Sequence, residues 1–327
     1  MIGVLQLEFV KDKVYSDVCY TLGDGRMNRY FNSFLILLAG ILWGAMGLFV
    51  RPLNSMGLTS WDIVFIRAIL TMIFMAAFLM IKDRSLFKIR FRDIWCFFGT
   101  GILSIVFFNL CYFKEITIAP LSVAAILLYT APAFVMVISL FCFKEKLTKQ
   151  KIIALILSFV GLIFVTGVFS SGDKLSFKTL MIGLGAGLGY ALYSIFSRYA
   201  LERGYESSMI SFYTFLFASI STVFFASPVH VASVVTSSLA TVCLVIVFAL
   251  VSTIIPYLTY TIGLKGVENG RASIIASIEP VVATLIGILW FHEKMTIWVL
   301  LGILLVLTSI VISNKEERSG ESSVNEL

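Results

Sequence analysis

The feature that most constrains this chain is a series of ten long apolar runs separated by short polar segments. About 20 apolar residues are enough for a helix to cross the hydrocarbon core of a bilayer. A closed barrel would also satisfy the backbone in lipid, but its strands alternate apolar and polar residues. These runs do not alternate, so the sequence predicts an all-α integral membrane protein. The spans are predicted at 33–50, 63–81, 94–113, 121–143, 152–168, 179–197, 208–227, 239–264, 272–291 and 297–313.

The composition extends this prediction to the whole chain. Of its 327 residues, 59% are hydrophobic and 13% are charged, and the mean hydropathy is +0.98. Soluble domains average about 45–50% apolar and about 25% charged residues. Ten spans of about 20 residues use roughly 200 residues and leave about 127 for ends and loops. We therefore expect no separate extramembrane domain.

Motifs for metal or cofactor chemistry do not occur in the sequence. The two histidines are far apart, the five cysteines show no paired spacing, and there is no Walker motif for ATP. These observations argue against a membrane-embedded enzyme built on such a site, and no cofactor is predicted. The net charge of +6 would suggest nucleic acid in a soluble protein. In a membrane protein it bears on orientation instead, so no nucleic-acid partner is predicted.

The distribution of basic residues between the spans predicts the orientation. From residue 27 onward, the segments on the side of the N-terminus carry 16 Lys and Arg residues, and those on the other side carry 5. Cytoplasmic loops are the richer in Lys and Arg. Both termini are therefore predicted to lie in the cytoplasm, and the protein to be a multi-pass component of the cell membrane.

The two halves of the chain align with each other at an offset of 148 residues. Residues 110–148 and 258–296 align without a gap and share ten of 39 positions. Composition bias can match Leu, Ile and Ala, but it does not produce a shared proline and a shared Phe-x-Glu-Lys-x-Thr tail. The sequence therefore predicts a duplication. The equivalent pairs include Pro132/Pro280, Glu145/Glu293 and Thr148/Thr296, and at an offset of 147 Gly40/Gly187 and Arg51/Arg198.

Each repeat contains five spans, so the second must insert upside down relative to the first. Inverted repeats can adopt two conformations of similar energy, each opening a central site to one side of the membrane. A transporter that works by alternating access follows more naturally from this arrangement than an enzyme.

The repeats divide the chain into four parts. Residues 1–31 form a polar N-terminal segment, and its first 26 residues lack the apolar core of a signal peptide. Because Met27 precedes the first span directly, we interpret residues 1–26 as a candidate extension before the true start. The repeats occupy 32–168 and 178–313, and 314–327 is a cytoplasmic tail.

Several motifs are similar to those of a known family. They are LLAGILWGAMG in the first span, IVFIRAIL in the second, LLYTAPAFVMVISLFCFKEKLT in the fourth and IEPVVATLIGILWFHEKMT in the ninth. The chain resembles the drug/metabolite transporter superfamily in its ten-helix EamA branch, over essentially all of 27–327. The resemblance implies export of amino acids and related metabolites through a central cavity lined by both halves. The second half has Tyr190-Ala191 where the first has Trp43-Gly44, so the two halves are not expected to play identical roles.

Two charged residues lie within the predicted spans, Arg67 and Glu279. Each costs about 2.5–3.5 kcal/mol at the bilayer centre and needs a partner or an aqueous cavity. Arg67 is interpreted either as a structural or snorkelling residue or as the contact for a substrate carboxylate. Glu279 stands near the midplane directly before Pro280, and is interpreted either as a carrier of coupling protons or as a hydrogen-bonded structural carboxyl group.

Polar and aromatic residues suited to a cavity cluster in five spans. Each could equally serve in helix packing or in an interfacial belt. Trp43 and Tyr190, which the repeat pairs, are the strongest candidates for substrate contact, together with Asn109, Tyr129 and Tyr257. The wider cluster adds Tyr112, Thr130, Tyr193 and Tyr260.

Small residues, prolines and the repeated tail are expected to shape the bundle. The glycines of the first and sixth spans predict close helix packing that permits sliding. Pro132 and Pro280 predict kinks that shape the cavity or are simply tolerated. Thr148 and Thr296 are predicted N-caps of the following helices.

The sequence thus predicts a secondary transporter that exports small metabolites, with the lipid bilayer as its surroundings and protons as the candidate coupling ion. A multidrug efflux pump, for which the many aromatic residues are suited, and an uncoupled facilitator are the alternatives. A membrane-embedded enzyme is less favoured.

The orientation yields a first testable prediction. Reporter proteins fused after Leu327 and inserted in the 228–238 loop should report opposite sides of the membrane, with Leu327 in the cytoplasm, because the basic residues favour that side 16 to 5. Topology-sensitive pairs such as alkaline phosphatase and a fluorescent protein provide the measurement. A single side for both positions would contradict the ten-span topology.

Overall fold

The computed structural model of the protein describes residues 25–119, 121–166 and 176–315, and in these ranges it contains helices and no strands. Residues 1–24 and 316–327, most of the predicted N-terminal segment and tail, lie outside the described residues. Ten helices follow the ten predicted spans, which confirms the predicted fold class. In the first repeat they are α1 (Gly25–Gly44 and Gly47–Ser55), α2 (Ser60–Lys82), α3 (Ile94–Phe98, Gly99–Val106 and Phe107–Glu115), α4 (Leu121–Leu128 and Ala131–Cys142) and α5 (Lys149–Thr166).

The second repeat has the same order of helices. They are α6 (Phe177–Glu202), α7 (Ser207–Thr222), α8 (Leu239–Ala249, Leu250–Ile254 and Ile255–Gly263), α9 (Asn269–Ala276 and Ile278–Phe291) and α10 (Ile297–Asn314), with a short helix Pro228–Val235 between α7 and α8.

Nine stretches among the described residues are long and apolar enough to cross a membrane, and α7 is the exception. The seventh span was predicted to reach residue 227, but the helix ends at Thr222 after 16 residues. Pro228 accounts for the non-helical backbone of Ser227, the last residue of the predicted span, because a proline disfavours helical backbone at the residue before it. Ser227 indeed leaves the helical region, with φ −110° and ψ 79°.

The helices pack in pairs that reproduce the repeat. Helix α1 packs on α8 and α9, and its counterpart α6 packs on α3 and α4 in the same way. The counterparts α2 and α7 pack on each other, as do α5 and α10. Exchanging the two halves converts the contacts of α1 into those of α6 and leaves the α2–α7 and α5–α10 pairs unchanged. A pseudo-two-fold axis between inverted repeats requires this pattern.

Irregular backbone also recurs at equivalent positions. Both α3 and α8 contain a π-helical segment, and these segments end at Val106 and Ile254, which are 148 residues apart. The helices α4 and α9 are each followed by a residue of positive φ, Lys144 at 56° and His292 at 55°, again 148 residues apart. The conserved offset in backbone geometry supports a common origin of the two halves independently of side-chain identity.

The two prolines lie beside breaks in α4 and α9. The halves of α4 are separated by Tyr129 and Thr130, just before Pro132, and those of α9 by Ser277, just before Pro280. A proline has no amide hydrogen for the carbonyl four residues earlier, and its ring crowds that carbonyl. The structure therefore shows an interruption of the helix beside each proline, in the middle of α4 and of α9.

The predicted N-caps are confirmed. The Thr148 hydroxyl oxygen accepts from the Lys151 amide at 3.3 Å, and the Thr296 hydroxyl oxygen accepts from the Val299 amide at 3.2 Å. Each cap satisfies one of the amides that the first turn of a helix leaves without a partner.

Two glycines allow α1 and α6 to approach the broken helices closely. A Cβ atom on Gly44 would lie 2.5 Å from the Glu279 carbonyl oxygen, and one on Gly187 would lie 2.8 Å from the Leu127 carbonyl oxygen. A Cβ atom on Gly47 would meet nothing within 4 Å. The close contacts involve backbone, which cannot rotate away.

These contacts predict the effect of alanine at each position. Gly44→Ala and Gly187→Ala should each destabilise the fold by about 1–3 kcal/mol, because the added methyl group overpacks a backbone contact. Gly47→Ala is the matched control and should be neutral or stabilising by up to about 1 kcal/mol, the helix propensity difference. Thermal unfolding in detergent measures all three, and equal midpoints for the three variants would contradict the packing described.

Candidate substrate cavity

An aromatic cluster at the centre of the bundle joins the two halves. Trp43 of α1 makes edge contacts with Tyr190 of α6 at 6.4 Å and Tyr257 of α8 at 5.2 Å between ring centroids, and it lies 5.4 Å from Tyr260. Trp43 is buried, and its indole N–H has no hydrogen-bond partner among the described residues. A buried indole donor without a partner is suited to a ligand acceptor.

Glu279 lies at one side of this cluster. It occupies the first turn of the second half of α9, directly after the break at Ser277. Its carboxylate accepts a hydrogen bond of 2.7 Å from the Tyr190 hydroxyl, and its side chain is partly accessible. The start of a helix favours negative charge, and Glu279 lies at the start of the second segment of α9.

Arg67 contacts another member of the cluster. This α2 residue is partly accessible, its guanidinium contacts the Met46 sulfur at 3.4 Å, and it lies beside the Tyr257 hydroxyl. The described residues place no carboxylate within 4.0 Å of it. Its charge nevertheless acts on Glu279 through space.

A chain of contacts therefore links the cation to the acid through the aromatic rings. Arg67 lies beside Tyr257, Tyr257 contacts Trp43, Trp43 contacts Tyr190, and Tyr190 bonds Glu279. An acid and a base that are both partly accessible and not paired with each other can bind the two ends of a zwitterion.

The break in α4 contributes to the same region. Tyr129 lines a small cleft together with residues from α4, α6, α8 and α9, and it lies within electrostatic reach of Glu279. The neighbouring Thr130 hydroxyl donates to the Leu127 carbonyl at 2.7 Å and so serves its own helix. The cleft is lined by Tyr129, Ala131, Pro132, Val135, Tyr190, Ser194, Tyr260, Ser273, Ala276 and Ser277.

Asn109 is not brought into this group by a side-chain contact. It is buried, and its amide donates to the Ile105 carbonyl at 2.7 Å within the same helix. Tyr112, one turn further along α3, instead stacks on Phe108, which contacts Tyr190 with ring centroids 5.8 Å apart. The α3 wall of the cavity is therefore aromatic.

Hydrogen bonds between side chains join α6 and α8 beside the aromatic cluster. The Ser194 and Tyr260 hydroxyl groups lie 2.6 Å apart, and those of Tyr193 and Thr261 lie 2.9 Å apart. Tyr193 and Tyr260 belong to the polar set singled out in the sequence. Both are buried, and their hydroxyl groups are committed to neighbouring helices.

One buried acid was missed by the sequence analysis. Glu115 at the end of α3 is 0% exposed, and neither carboxyl oxygen has a hydrogen-bond partner in the described part of the chain. It fills the space left by Gly183 of α6. The third span was predicted to end at 113, and a Glu after a Lys at the end of a span gives no sequence signal for burial.

The chain is similar to several known proteins. The model of the EamA-like transporter family matches residues 31–167 and again residues 177–315. A protein of Archaeoglobus fulgidus named an uncharacterized transporter is 26% identical over 296 residues, 89% of this chain and 98% of the relative. The uncharacterized transporter YvbV of Bacillus subtilis is 22% identical over 90% of this chain and 94% of its own length.

Two further similarities bear on activity and fold. A protein of Escherichia coli named a probable amino-acid metabolite efflux pump is 23% identical over 203 residues, 59% of this chain and 67% of the relative. A solved crystal structure covers 86% of this chain and 96% of its own chain with a TM-score of 0.70 and 15% identity. That structure supports the fold alone.

Proposed function

Because the chain belongs to the EamA-like transporter family, we propose that it is a secondary transporter that exports amino acids or related small metabolites across the cytoplasmic membrane by alternating access. The name of the Escherichia coli relative, a probable amino-acid metabolite efflux pump, supports the substrate class and the direction. The excess of basic residues on the side of the termini supports a cytoplasmic position for both.

The observation that carries the proposal is that Glu279 and Arg67, which are not paired with each other, contact one aromatic cluster between the repeats. A substrate carboxylate would accept hydrogen bonds from Arg67, whose planar guanidinium suits a carboxylate. The substrate ammonium group would lie by Glu279 and the faces of Trp43 and Tyr190, where a cation–π interaction adds to the charge pair.

Glu279 is also the group that we propose to carry the coupling proton. A carboxylate that binds a substrate ammonium group cannot also hold a proton, so the two compete for one site. Competition of this kind exchanges protons for substrate without a separate pathway, and the partly accessible position of Glu279 allows both to arrive. Tyr190 orients the carboxylate through its hydroxyl group.

A multidrug efflux pump is the second candidate. The contacts among Trp43, Tyr190, Tyr257 and Tyr260 would suit flat apolar cations. Arg67 disfavours this function, because a cation beside Tyr257 repels another. An uncoupled facilitator would use the same cavity without Glu279 as a proton carrier.

The decisive experiment uses purified protein in liposomes. Counterflow of labelled amino acids, with and without a pH gradient, is expected to show substrate exchange in both conditions and accumulation against a concentration gradient only with the pH gradient. Apolar amines that lack a carboxylate provide the comparison with multidrug transport, and exchange of amines but not of amino acids would contradict the proposal.

Glu279→Gln separates proton coupling from substrate binding. The variant keeps the shape and can accept from Tyr190 but cannot titrate, so accumulation driven by a pH gradient should be lost. Counterflow should remain at a raised half-saturation concentration, because the charge pair with the substrate ammonium group is lost as well. Tyr190→Phe is the matched control, because it removes the hydroxyl group and leaves the carboxyl group. It should keep gradient-driven accumulation. Normal accumulation by the Gln variant across the whole pH range would leave Glu279 a structural role only.

Arg67→Gln tests the carboxylate contact. The half-saturation concentration for an amino acid should rise about tenfold or more, because a hydrogen bond to a charged group contributes about 1.5–3 kcal/mol and 1.4 kcal/mol is about tenfold. Transport of the matching amine without a carboxylate should change little. For Arg67→Lys, which keeps the charge, the half-saturation concentration for the amino acid should lie between those of the parent protein and of Arg67→Gln. Equal losses for the amino acid and the amine would show that Arg67 supports packing rather than recognition.

A further inference from the structure

The repeated tail of α4 and α9 has different partners at the two ends of the bundle. We call the end that contains the start of α1 and the end of α10 the terminal end, and the other the distal end. Ser33 and Asn314 are bonded at the terminal end, and the loop between α8 and α9 lies there too, with Gly266 against Asn32. Glu145 lies at the terminal end and its counterpart Glu293 at the distal end.

At the terminal end, Glu145 caps the start of α9. Its carboxylate accepts from the Asn269 amide at 2.7 Å and from the Gly270 amide at 3.1 Å. The first amides of a helix have no partner within the helix, and its N-terminus favours negative charge. Glu145 belongs to the first repeat and α9 to the second, so this cap joins the two halves.

Further charges complete the closure of the terminal end. The guanidinium of Arg198, at the end of α6, donates to the Asn269 side-chain oxygen at 3.1 Å and to the Val267 carbonyl. Lys151 pairs with Glu268 at 3.0 Å. The side chains of Lys151 and Glu145 are only 3% and 10% exposed, so the two residues of the first repeat that bridge to the start of α9 are buried at this end.

At the distal end the equivalent residues bind each other. Glu293 accepts from Arg51, the counterpart of Arg198, at 2.7 Å, and their side chains are 51% and 53% exposed. Arg51 also lies over the Phe291 ring at 3.8 Å. An exposed ion pair contributes little to stability, so little energy is needed to separate these two residues.

The same sequence motif therefore makes a buried cap between repeats at one end and an exposed ion pair at the other. The local backbone does not cause the difference, because Lys144 and His292, the residues before the two acids, have the same positive φ. Two inverted repeats can exchange conformations. The difference is then one of conformational state, with the terminal end closed.

We propose that Glu145 with Arg198 and Glu293 with Arg51 are two mirrored latches that close the terminal and the distal ends in turn. This inference rests on the proposed alternating access. In the opposite conformation Arg51 leaves Glu293. The Glu293 carboxylate then accepts from the amide of Ser122, which is the counterpart of Gly270. Arg51 donates to the carbonyl group of Ala119, which is the counterpart of Val267. The residues act on the cavity by positioning α4 and α9.

The broken helices make such an exchange mechanically feasible. The second half of α4 packs on the first half of α9 at the terminal end. Because α4 is interrupted at Tyr129 and α9 at Ser277, the halves on either side of each break can tilt separately. Formation of one latch as the other opens keeps the number of charge-assisted hydrogen bonds similar, so neither conformation is trapped.

The test measures accessibility at the two ends without any substrate. In a variant with the five cysteines replaced by serine, Val267→Cys reports on the terminal end and Ala119→Cys on the distal end, each labelled by a membrane-impermeant maleimide applied from its own side. Glu145→Gln should raise the labelling rate at position 267 by about tenfold, the effect of losing one hydrogen bond to a charged group, and lower it at position 119.

The double variant gives the sharper readout. Adding Glu293→Gln to Glu145→Gln weakens both latches, so labelling at position 267 should return toward the rate of the parent protein. If each substitution only damaged the structure, the effect of Glu293→Gln would add to that of Glu145→Gln, and the labelling rate at position 267 would rise further. Glu206→Gln is the matched control, since it removes an exposed ion pair with Lys82 between the repeats outside the mirrored motif, and it should change neither rate.

The two hypotheses fail in different ways. Unchanged labelling at position 267 in Glu145→Gln, or equal labelling in the single and double variants, would overturn the latches even if amino acids are transported. The expected labelling pattern without amino-acid transport would leave the latches and refute the proposed substrate. If Glu145→Gln does not elute as a monodisperse species, Glu145→Asp keeps the charge, cannot span both amides, and should shift both labelling rates in the same directions by less.

Discussion

The structure depends on the requirement that polar groups at membrane depth find partners inside the protein, because lipid offers none. Regular helices meet this requirement for the backbone. Pro132 and Pro280 interrupt the helices at two equivalent points, because a proline has no amide hydrogen for the carbonyl group four residues earlier. Tyr129 and Ser277, which lie at the two breaks, line the same cleft as Tyr190. The breaks therefore mark the candidate site, and Glu279 lies directly beyond the break in α9.

The inverted repeat explains why one motif can have two structures. The π-helical segments, the helix breaks and the positive-φ residues recur at the 148-residue offset, so the two halves share a backbone design. Their side chains are not equivalent. Helix α8 has Gly263 against Ile36 of α1, whereas α3 has Glu115 against Gly183 of α6. In the α1–α8 pair the glycine is on α8, whereas in the α3–α6 pair it is on α6, and the two helices approach closely in both pairs.

Much of the fold can be predicted from the sequence because lipid imposes a strong pattern on it. The ten spans, the repeat, the kinks near Pro132 and Pro280 and the caps at Thr148 and Thr296 each follow from a local signal. The end of α7 also had a signal, the Ser227-Pro228 pair, but the apolar run continues through residues 223–226 and conceals it. A hydropathy pattern does not distinguish an apolar residue in a helix from one just after it.

The partners of side chains could not be predicted in the same way. Nothing in the sequence around Asn109 indicates that its amide bonds to Ile105 one turn earlier, because any polar residue in a helix has that option. The burial of Glu115 depends on Gly183, which is distant in the sequence. Trp43, Tyr190, Tyr257 and Glu279 were singled out individually, but the contacts among them depend on how α1, α6, α8 and α9 pack.

The separation of Arg67 from Glu279 is the property on which recognition would depend. An ion pair between them would lower the cost of each charge in the membrane, about 2.5–3.5 kcal/mol at the bilayer centre, but it would leave both groups satisfied without a ligand. Among the described residues they form no ion pair within 4.0 Å. Each contacts a tyrosine of the aromatic cluster instead, Arg67 lying beside Tyr257 and Glu279 bonded to Tyr190. Each charge is partly accessible, so each remains open to a ligand. Under the proposed function, a zwitterion would pair with both charges at once, and the cost of leaving them unpaired would favour a ligand that carries both.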